Sequence, residues 1–240
     1  MTGKQRVDGQ VAYLLHAWPY SETSLIADVF TRDHGRLPLL ARGARRPRSA
    51  LRGLLMGFQP LEVGWFGGGE VKTLAKAEWL GGMPLLSGRC LLLGYYLNEL
   101  LVSFLPREDA HPKLFDAYAL ALNALAHGSA DAPELRRFEL KLLRELGYGV
   151  RLDTEAERNV PVEPDMLYEF AVERGPLANY SGGGMAPVYA GKTLLDMAAD
   201  DYTDPRTRQE SRALMRQLVA HHLGGRALQS RRIFMELSEL

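Results

Sequence analysis

Two kinds of hydrophobic spacing divide the chain. Between residues 8 and 80 apolar side chains come in short runs, continuous or alternating with polar ones: Val11–Ala17, Leu25–Thr31, Arg36–Ala41, Leu61–Phe66 and Glu70–Ala77. Runs of this length between turn formers predict β-strands. The turn signals are Pro19-Tyr20-Ser21-Glu22, Asp33-His34-Gly35 and Gly67-Gly68-Gly69. From Met83-Pro84 onward the spacing becomes helical. Leu85–Leu105, His111–His127 and Pro133–Leu146 predict helices, the last closed by Gly147. Lys192–Ala198, Pro205–Leu223 and Leu228–Leu237 predict three more, with Pro205 in a first turn capped by Thr203 or Asp204. Between 147 and 190 the period lapses, and only strand-like pieces such as Met166–Val172 stand out. The chain shows no internal repeat and no low-complexity tail.

This pattern predicts a multi-domain protein of mixed α and β structure. Residues 1–80 form a small β-barrel; residues 81–240 form an all-α helical domain with an irregular insertion at 147–190. Five short strands suit a barrel of the oligonucleotide-binding type (OB fold), although the spacing equally allows another small barrel.

Composition narrows the class. In 240 residues 46% are apolar and 24% charged, which provides a core and excludes wholesale disorder. A single cysteine, Cys90, excludes an intrachain disulfide and a multi-cysteine zinc site, and points to a reducing compartment. The longest apolar stretch, Leu91–Leu105, is interrupted by Asn98 and Glu99, so no membrane span is expected. Val11–Ala17 ends at Trp18-Pro19 and is too short for a signal peptide.

Charge changes the picture more. The net charge is zero, but residues 1–80 hold 11 Lys plus Arg against 7 Asp plus Glu, and the remainder 18 against 22. From His34 to Leu61 there is no acidic residue, but there are Arg36, Arg42, Arg45, Arg46, Arg48 and Arg52. Gly43 and Pro47 mark Ala41–Ser49 as a loop. Such a loop beside a barrel can track a phosphate backbone, because guanidinium groups fork onto phosphates and stack on bases. Lys72 and Lys76, four apart on a strand, extend that surface if they share a face. Trp18, Tyr20, Trp65 and Phe66 are candidate base stackers; the other barrel aromatics belong to the core. The plainer alternative for the arginines is a solvated surface loop.

A second cluster lies on the helix Leu135–Leu146. Leu135, Phe138, Leu142 and Leu146 share its inner face, while Arg137, Lys141 and Arg144 share another. Leu140 and Leu143 lie between, beside Arg136. Arginines beside an apolar groove can hold an acidic peptide with an aromatic end. An ordinary amphipathic helix with a basic stripe accounts for the same residues. Signals for catalysis are weak. His221-His222 lacks metal-ligand spacing, and Gly67–Gly69 and Gly182–Gly184 lack the ending of a phosphate-binding loop. Cys90 reads as core, and neither a nucleophile elbow nor a zincin motif occurs. The residues alone leave open a DNA-binding protein, an RNA-binding barrel protein or an adaptor gripping an acidic protein surface, with a nuclease a distant fourth.

Three stretches carry a resemblance to a known family. The first runs from Tyr20-Ser21-Glu22-Thr23-Ser24-Leu25 through Phe30-Thr31 and His34-Gly35 to Ala41-Arg42-Gly43-Ala44-Arg45. The second is Leu135-Arg136-Arg137-Phe138-Glu139-Leu140 with Leu146-Gly147-Tyr148-Gly149. The third is Leu223-Gly224-Gly225-Arg226 with Leu228-Gln229-Ser230-Arg231-Arg232. Over nearly its full length the chain resembles the bacterial recombination mediator family RecO. That resemblance implies an OB-fold barrel followed by a helical domain, with no enzymatic activity and no cofactor. It implies a cytoplasmic, nucleoid-associated protein of gap repair that binds single- and double-stranded DNA and anneals complementary strands. The implied partners are the acidic C-terminal tail of the single-stranded-DNA-binding protein, and RecR, with which it helps load RecA. On this resemblance the tail site falls on Arg136, Arg137, Leu140 and Lys141. Many members carry a four-cysteine zinc element in the part matching 149–190; this chain has no cysteine there, so no zinc is expected and packing by Tyr168, Phe170 and Tyr180 must hold the segment.

Overall fold

The computed structural model describes residues 6–129, 133–179 and 187–238. Tyr180 and Gly182–Gly184 lie outside them. Strands β1 (Arg6–Pro19), β2 (Leu25–Thr31), β3 (Gly35–Ala41), β4 (Pro60–Phe66) and β5 (Lys72–Trp79) close into a barrel in the order β1-β2-β3-β5-β4. The β3–β5 pairing is parallel and the others antiparallel, which is an OB-type barrel. Closure depends on β1, whose 14 residues pair with β2 through one half and β4 through the other. Its register shifts between Val7 and Gln10 and between Leu14 and His16, and such bulges bend a strand round a small barrel. Gly9 supplies the φ of +69° at the first shift. The interior follows the period of two: Ala12, Leu14, Ala27, Val29, Leu37, Leu39, Leu61, Val63 and Trp65 fill it.

Two compact units make up the chain. One holds the barrel, the short α1 (Leu51–Leu54) between β3 and β4, and helices α2 (Gly88–Phe104), α3 (Pro112–Ala126) and α7 (Gln229–Ser238). The outer face of β1–β2 is apolar too, so it needs a cover. Tyr13 and Phe30 meet Phe115 and Tyr118 of α3 at ring distances of 5.2 to 6.2 Å. The buried Asn98 amide on α2 donates to the Leu15 carbonyl at 2.9 Å and accepts from the Tyr118 hydroxyl at 2.5 Å. On the far side of α2, Glu99 accepts the Gln229 and Ser230 backbone N–H groups at 2.7 and 2.9 Å, which satisfies the first turn of α7.

The other unit holds α4 (Pro133–Glu145), the three-stranded sheet β7-β6-β8, α5 (Gly191–Ala198) and α6 (Pro205–His222). Its strands are β6 (Leu167–Ala171), β7 (Gly175–Ala178) and β8 (Val188–Ala190). The segment expected to be irregular therefore holds a small sheet within the helical region. β7 and β8, at four and three residues, are too short to show a period. Tyr168 and Phe170 are buried, in one cluster with Tyr189, Leu140, Leu143, Leu214 and Leu218. Ahead of the sheet, buried Glu155 accepts the N–H groups of Glu157 at 3.2 Å and Arg158 at 2.6 Å, closing a turn of the chain. Asp204 caps α6 by accepting from the Arg206 N–H at 2.8 Å, with Pro205 in the first turn. Among the described residues no helix is long and apolar enough to cross a membrane.

Candidate nucleic-acid interface

The connection from β3 to β4 is built on backbone bonds to the β1–β2 turn. The Arg45 N–H donates to the Thr23 carbonyl at 2.9 Å, and the Arg45 guanidinium to the Ser21 carbonyl at 2.7 Å. Ala44 is buried, which anchors the segment. Beyond it the Arg46, Ser49 and Arg52 N–H groups bond back to the carbonyls of Gly43, Arg46 and Ser49 at 3.0 to 3.2 Å. These tight turns leave Arg42, Arg45, Arg46, Arg48 and Arg52 all exposed. None of the five forms an ion pair among the described residues. The return to β4 is fixed by Phe58, buried at a φ of +67°, whose ring meets Tyr95 at 5.1 Å. A Cβ on Gly94 would lie 2.9 Å from that ring, so only glycine admits it there.

The remaining basic residues of the barrel are placed differently. Arg36 is not a surface contact. It forks onto buried Asp28 at 2.7 to 3.1 Å, donates to the Val102 and Leu105 carbonyls at 2.6 and 3.2 Å, and keeps only 13% of its side chain exposed. Lys72 is likewise enclosed, against the Glu108 carboxylate and the Gly69 carbonyl. Lys76 is exposed but pairs with Glu78 at 2.9 Å and Glu62 at 3.6 Å. The two lysines do not share a face. Lys76 pairs with Gly64 and Leu74 with Trp65, which leaves Ala75 as an unpaired bulge that breaks the alternation. A bulge inside a strand has no period signature.

The aromatics also separate. Trp65 is in the barrel core, edge-on to His34, and cannot stack on a base. Tyr20 is 63% exposed in the turn that seats Arg45. Trp18, half-buried at the end of β1, stacks on His16 at 5.8 Å. Phe66 is half-buried on β4. Since α3 covers the outer face of β1–β2 and Glu62 and Glu78 flank Lys76, the uncompensated positive charge of the barrel gathers on the β3–β4 connection beside Tyr20.

The residues of the second cluster share α4, but they are already engaged. Arg136 pairs with buried Glu139 at 2.8 Å. Arg137 pairs with Glu134 at 3.0 Å and with Asp200 at 2.7 Å, and lies 5.7 Å from the Tyr202 ring centroid. Lys141 pairs with Glu145 at 3.1 Å. Leu140 is buried in the core of its unit, so it does not line an open groove. Burial first, then Asp200, pushes the Tyr202 hydroxyl up to about 12. Asp200 and Tyr202 stand more than sixty positions from Arg137, and no local motif announces them.

A five-stranded OB-type barrel whose β3–β4 connection bears arginines without ion pairs among the described residues, joined to a helical region, has the architecture and surface charge suited to a polyanion. The sequence narrows this further. Residues 9–83 match the family model "Recombination protein O N terminal" and residues 87–232 match "Recombination protein O C terminal". The chain is 57% identical over 240 residues to the DNA repair protein RecO of Aromatoleum aromaticum, covering all of both chains. It is 56% identical to that of Dechloromonas aromatica, again over both full chains. It is 53% identical to that of Ralstonia nicotianae, covering 99% of this chain and 87% of the relative. The chain belongs to the RecO family, whose role is DNA repair and recombination.

Proposed function

We propose that the chain binds single- and double-stranded DNA through Arg42, Arg45, Arg46, Arg48 and Arg52 and anneals complementary strands. The observation that carries this reading is the set of five exposed arginines without carboxylate partners among the described residues. Annealing requires no bond chemistry. Two strands repel through their phosphates; a cationic surface displaces counterions and lowers that repulsion. Tyr20 and Trp18 add stacking faces beside the arginines. Arg36 and Lys72 act instead in holding the barrel, and Lys76 is balanced by its neighbours.

The finer parts of the reading concern partners. The acidic tail of the single-stranded-DNA-binding protein docks on α4, with Arg137 as its principal cation because it is the more open of the two arginines. RecR joins to help load RecA at gaps, in the cytoplasm at the nucleoid. The protein works as a mediator without a catalytic centre or cofactor.

The test is binding of a labelled single strand across a salt series, with annealing followed in parallel, for wild type and the Arg45→Ala/Arg46→Ala/Arg48→Ala variant. Three lost phosphate contacts should flatten the log–log salt slope by about 2 on single strands and weaken binding roughly tenfold or more. Equal slope and affinity would remove the connection from the interface. Preference for RNA, or binding to an acidic protein that DNA does not compete, would favour the RNA-binding or adaptor alternatives.

A further inference from the structure

Asp200 sits where a helix end favours glycine. Helix α5 closes in a Schellman turn: the Asp201 N–H donates to the Asp196 carbonyl at 2.8 Å, and the Asp200 N–H to the Met197 carbonyl at 3.4 Å. The residue at the left-handed position of this turn is Asp200, with a φ of +60°. An L residue there is strained, although Asp tolerates it better than most. A carboxylate at a helix C-terminus also faces the negative end of the helix dipole. Two local costs therefore fall on one side chain.

Arg137 offsets them. Its Nε donates to Asp200 Oδ1 at 2.7 Å and its Nη2 approaches the Asp200 carbonyl at 3.5 Å. The guanidinium lies over the Tyr202 ring. The Tyr202 hydroxyl is buried and has no hydrogen-bond partner among the described residues, which is uncommon for a buried polar group. The cluster thus holds a cation, an unused hydroxyl, and a carboxylate that the chain itself supplies. Arg137 is 41% exposed and Asp200 62%, so solvent and a peptide reach both. Exposed ion pairs are weak, and exchanging one carboxylate for another leaves the charge balance unchanged.

We infer that Asp200 is an internal stand-in for the carboxylate of an acidic partner peptide. It occupies Arg137 while the site is vacant and swings into solvent when a peptide carboxylate takes its place, and that movement uncovers the buried Tyr202 hydroxyl as the peptide's second donor. This rests on α4 being the acidic-tail site. The stand-in keeps the arginine from adventitious anions and sets a threshold: a single carboxylate gains little by the exchange, whereas a peptide with several acidic groups outcompetes it.

The probe is a short fluorescein-labelled peptide of aspartates ending in phenylalanine with a free carboxylate, titrated onto the full chain by anisotropy. Asp200→Asn keeps a residue tolerant of the left-handed turn and removes the charge; Asp200→Gly also removes the strain. Both should bind the peptide about threefold tighter than wild type, in the range set by one exposed ion pair. Asp200→Gly should melt no lower than wild type despite losing the pair. Adding Tyr202→Phe should cancel the gain. Arg137→Ala tests the underlying reading separately. If it binds the peptide as wild type does, or if neither binds, α4 is not the tail site. If it weakens binding but neither Asp200 variant strengthens it, the site stands and the stand-in falls.

Discussion

The β3–β4 connection carries Arg42, Arg45, Arg46, Arg48 and Arg52; α4 carries Arg136, Arg137, Lys141 and Arg144. Their surroundings differ. On α4 a helix turn brings Glu134, Glu139 and Glu145 three or four residues from a cation, so Arg136, Arg137 and Lys141 are neutralised within the helix itself. The connection has no acidic residue to offer, and its five arginines are exposed. Five like charges on one short segment repel one another, and the Arg45 guanidinium is tied to the Ser21 carbonyl at 2.7 Å. The difference teaches that cation count is a poor guide to potential; whether the backbone geometry delivers a carboxylate to each cation decides it. A buried pair such as Arg36–Asp28 holds the fold, whereas the arginines of the connection meet no carboxylate among the described residues and are available to a polyanion.

This contrast is sharpened most by Arg36, which belongs to the acid-free run in sequence and to the paired class in structure. Arg36→Ala leaves Asp28 buried without its partner and two carbonyls of the α2 end without a donor. The expected loss is about 3–5 kcal/mol in urea unfolding. A loss under about 1 kcal/mol would show that the fork onto Asp28 is not what it holds. The arginine triple Arg45→Ala/Arg46→Ala/Arg48→Ala should behave oppositely, with stability changed by less than about 1 kcal/mol while DNA affinity falls. Next in size is Arg136→Ala. Glu139 is buried, so removing its cation should lower stability by about 2 kcal/mol and leave affinity for bare DNA within about twofold of wild type. A large fall in DNA affinity with stability intact would break the division between the two regions.

A smaller effect involves charge held chiefly by the backbone, with the Arg158 guanidinium at 3.6 Å as a lesser contributor. Glu155 accepts two backbone N–H groups, the Arg158 bond being the larger cause, and these hold its carboxyl below the ordinary glutamate range. A lowered folded pKa stabilises the protein above the unfolded value, and that share is lost as pH falls through the folded value. Wild type should therefore exceed Glu155→Gln in melting temperature near pH 7, with the gap closing below about pH 4.5. A gap that stays constant with pH would mean that shape, not charge, holds this turn.

Much of this was legible in the residues. The five barrel strands, a cap at Thr203 or Asp204 and the arginine connection all follow from local spacing, because strand period, helix punctuation and absence of acids are short-range properties. What was not legible depends on long-range pairing. Trp65 reads as a stacker until closure turns it inward. Arg36 reads as surface until α2 brings the Val102 and Leu105 carbonyls to it. The groove beside Leu140 disappears because β6, β8 and α6 supply the side chains that bury it. Strands β7 and β8 are too short for any period to mark them.

Lys76 gives the finest test of pairing against count. It is exposed, it lies on the barrel, and composition alone would place it among the DNA contacts. Two carboxylates flank it, with Glu78 at 2.9 Å and Glu62 at 3.6 Å. The Glu78 hydrogen bond is the larger cause of its raised pKa, so it stays charged across the working range. Around it the local balance is nonetheless negative, and a phosphate approaching Lys76 would meet both glutamates. Lys76→Ala should therefore change stability by less than about 0.5 kcal/mol, the worth of an exposed pair. It should leave the salt slope for single strands unaltered, whereas one true phosphate contact removed would flatten it by about 0.7. The double replacement Glu62→Gln/Glu78→Gln inverts the experiment. It leaves the lysine unopposed and should steepen the slope slightly if DNA passes near β4–β5. A steeper slope from the double variant, with none lost from Lys76→Ala, would show that pairing and not position keeps this lysine out of the interface. A slope flattened by Lys76→Ala alone would mean that an ion pair on this barrel does not withhold a cation from DNA.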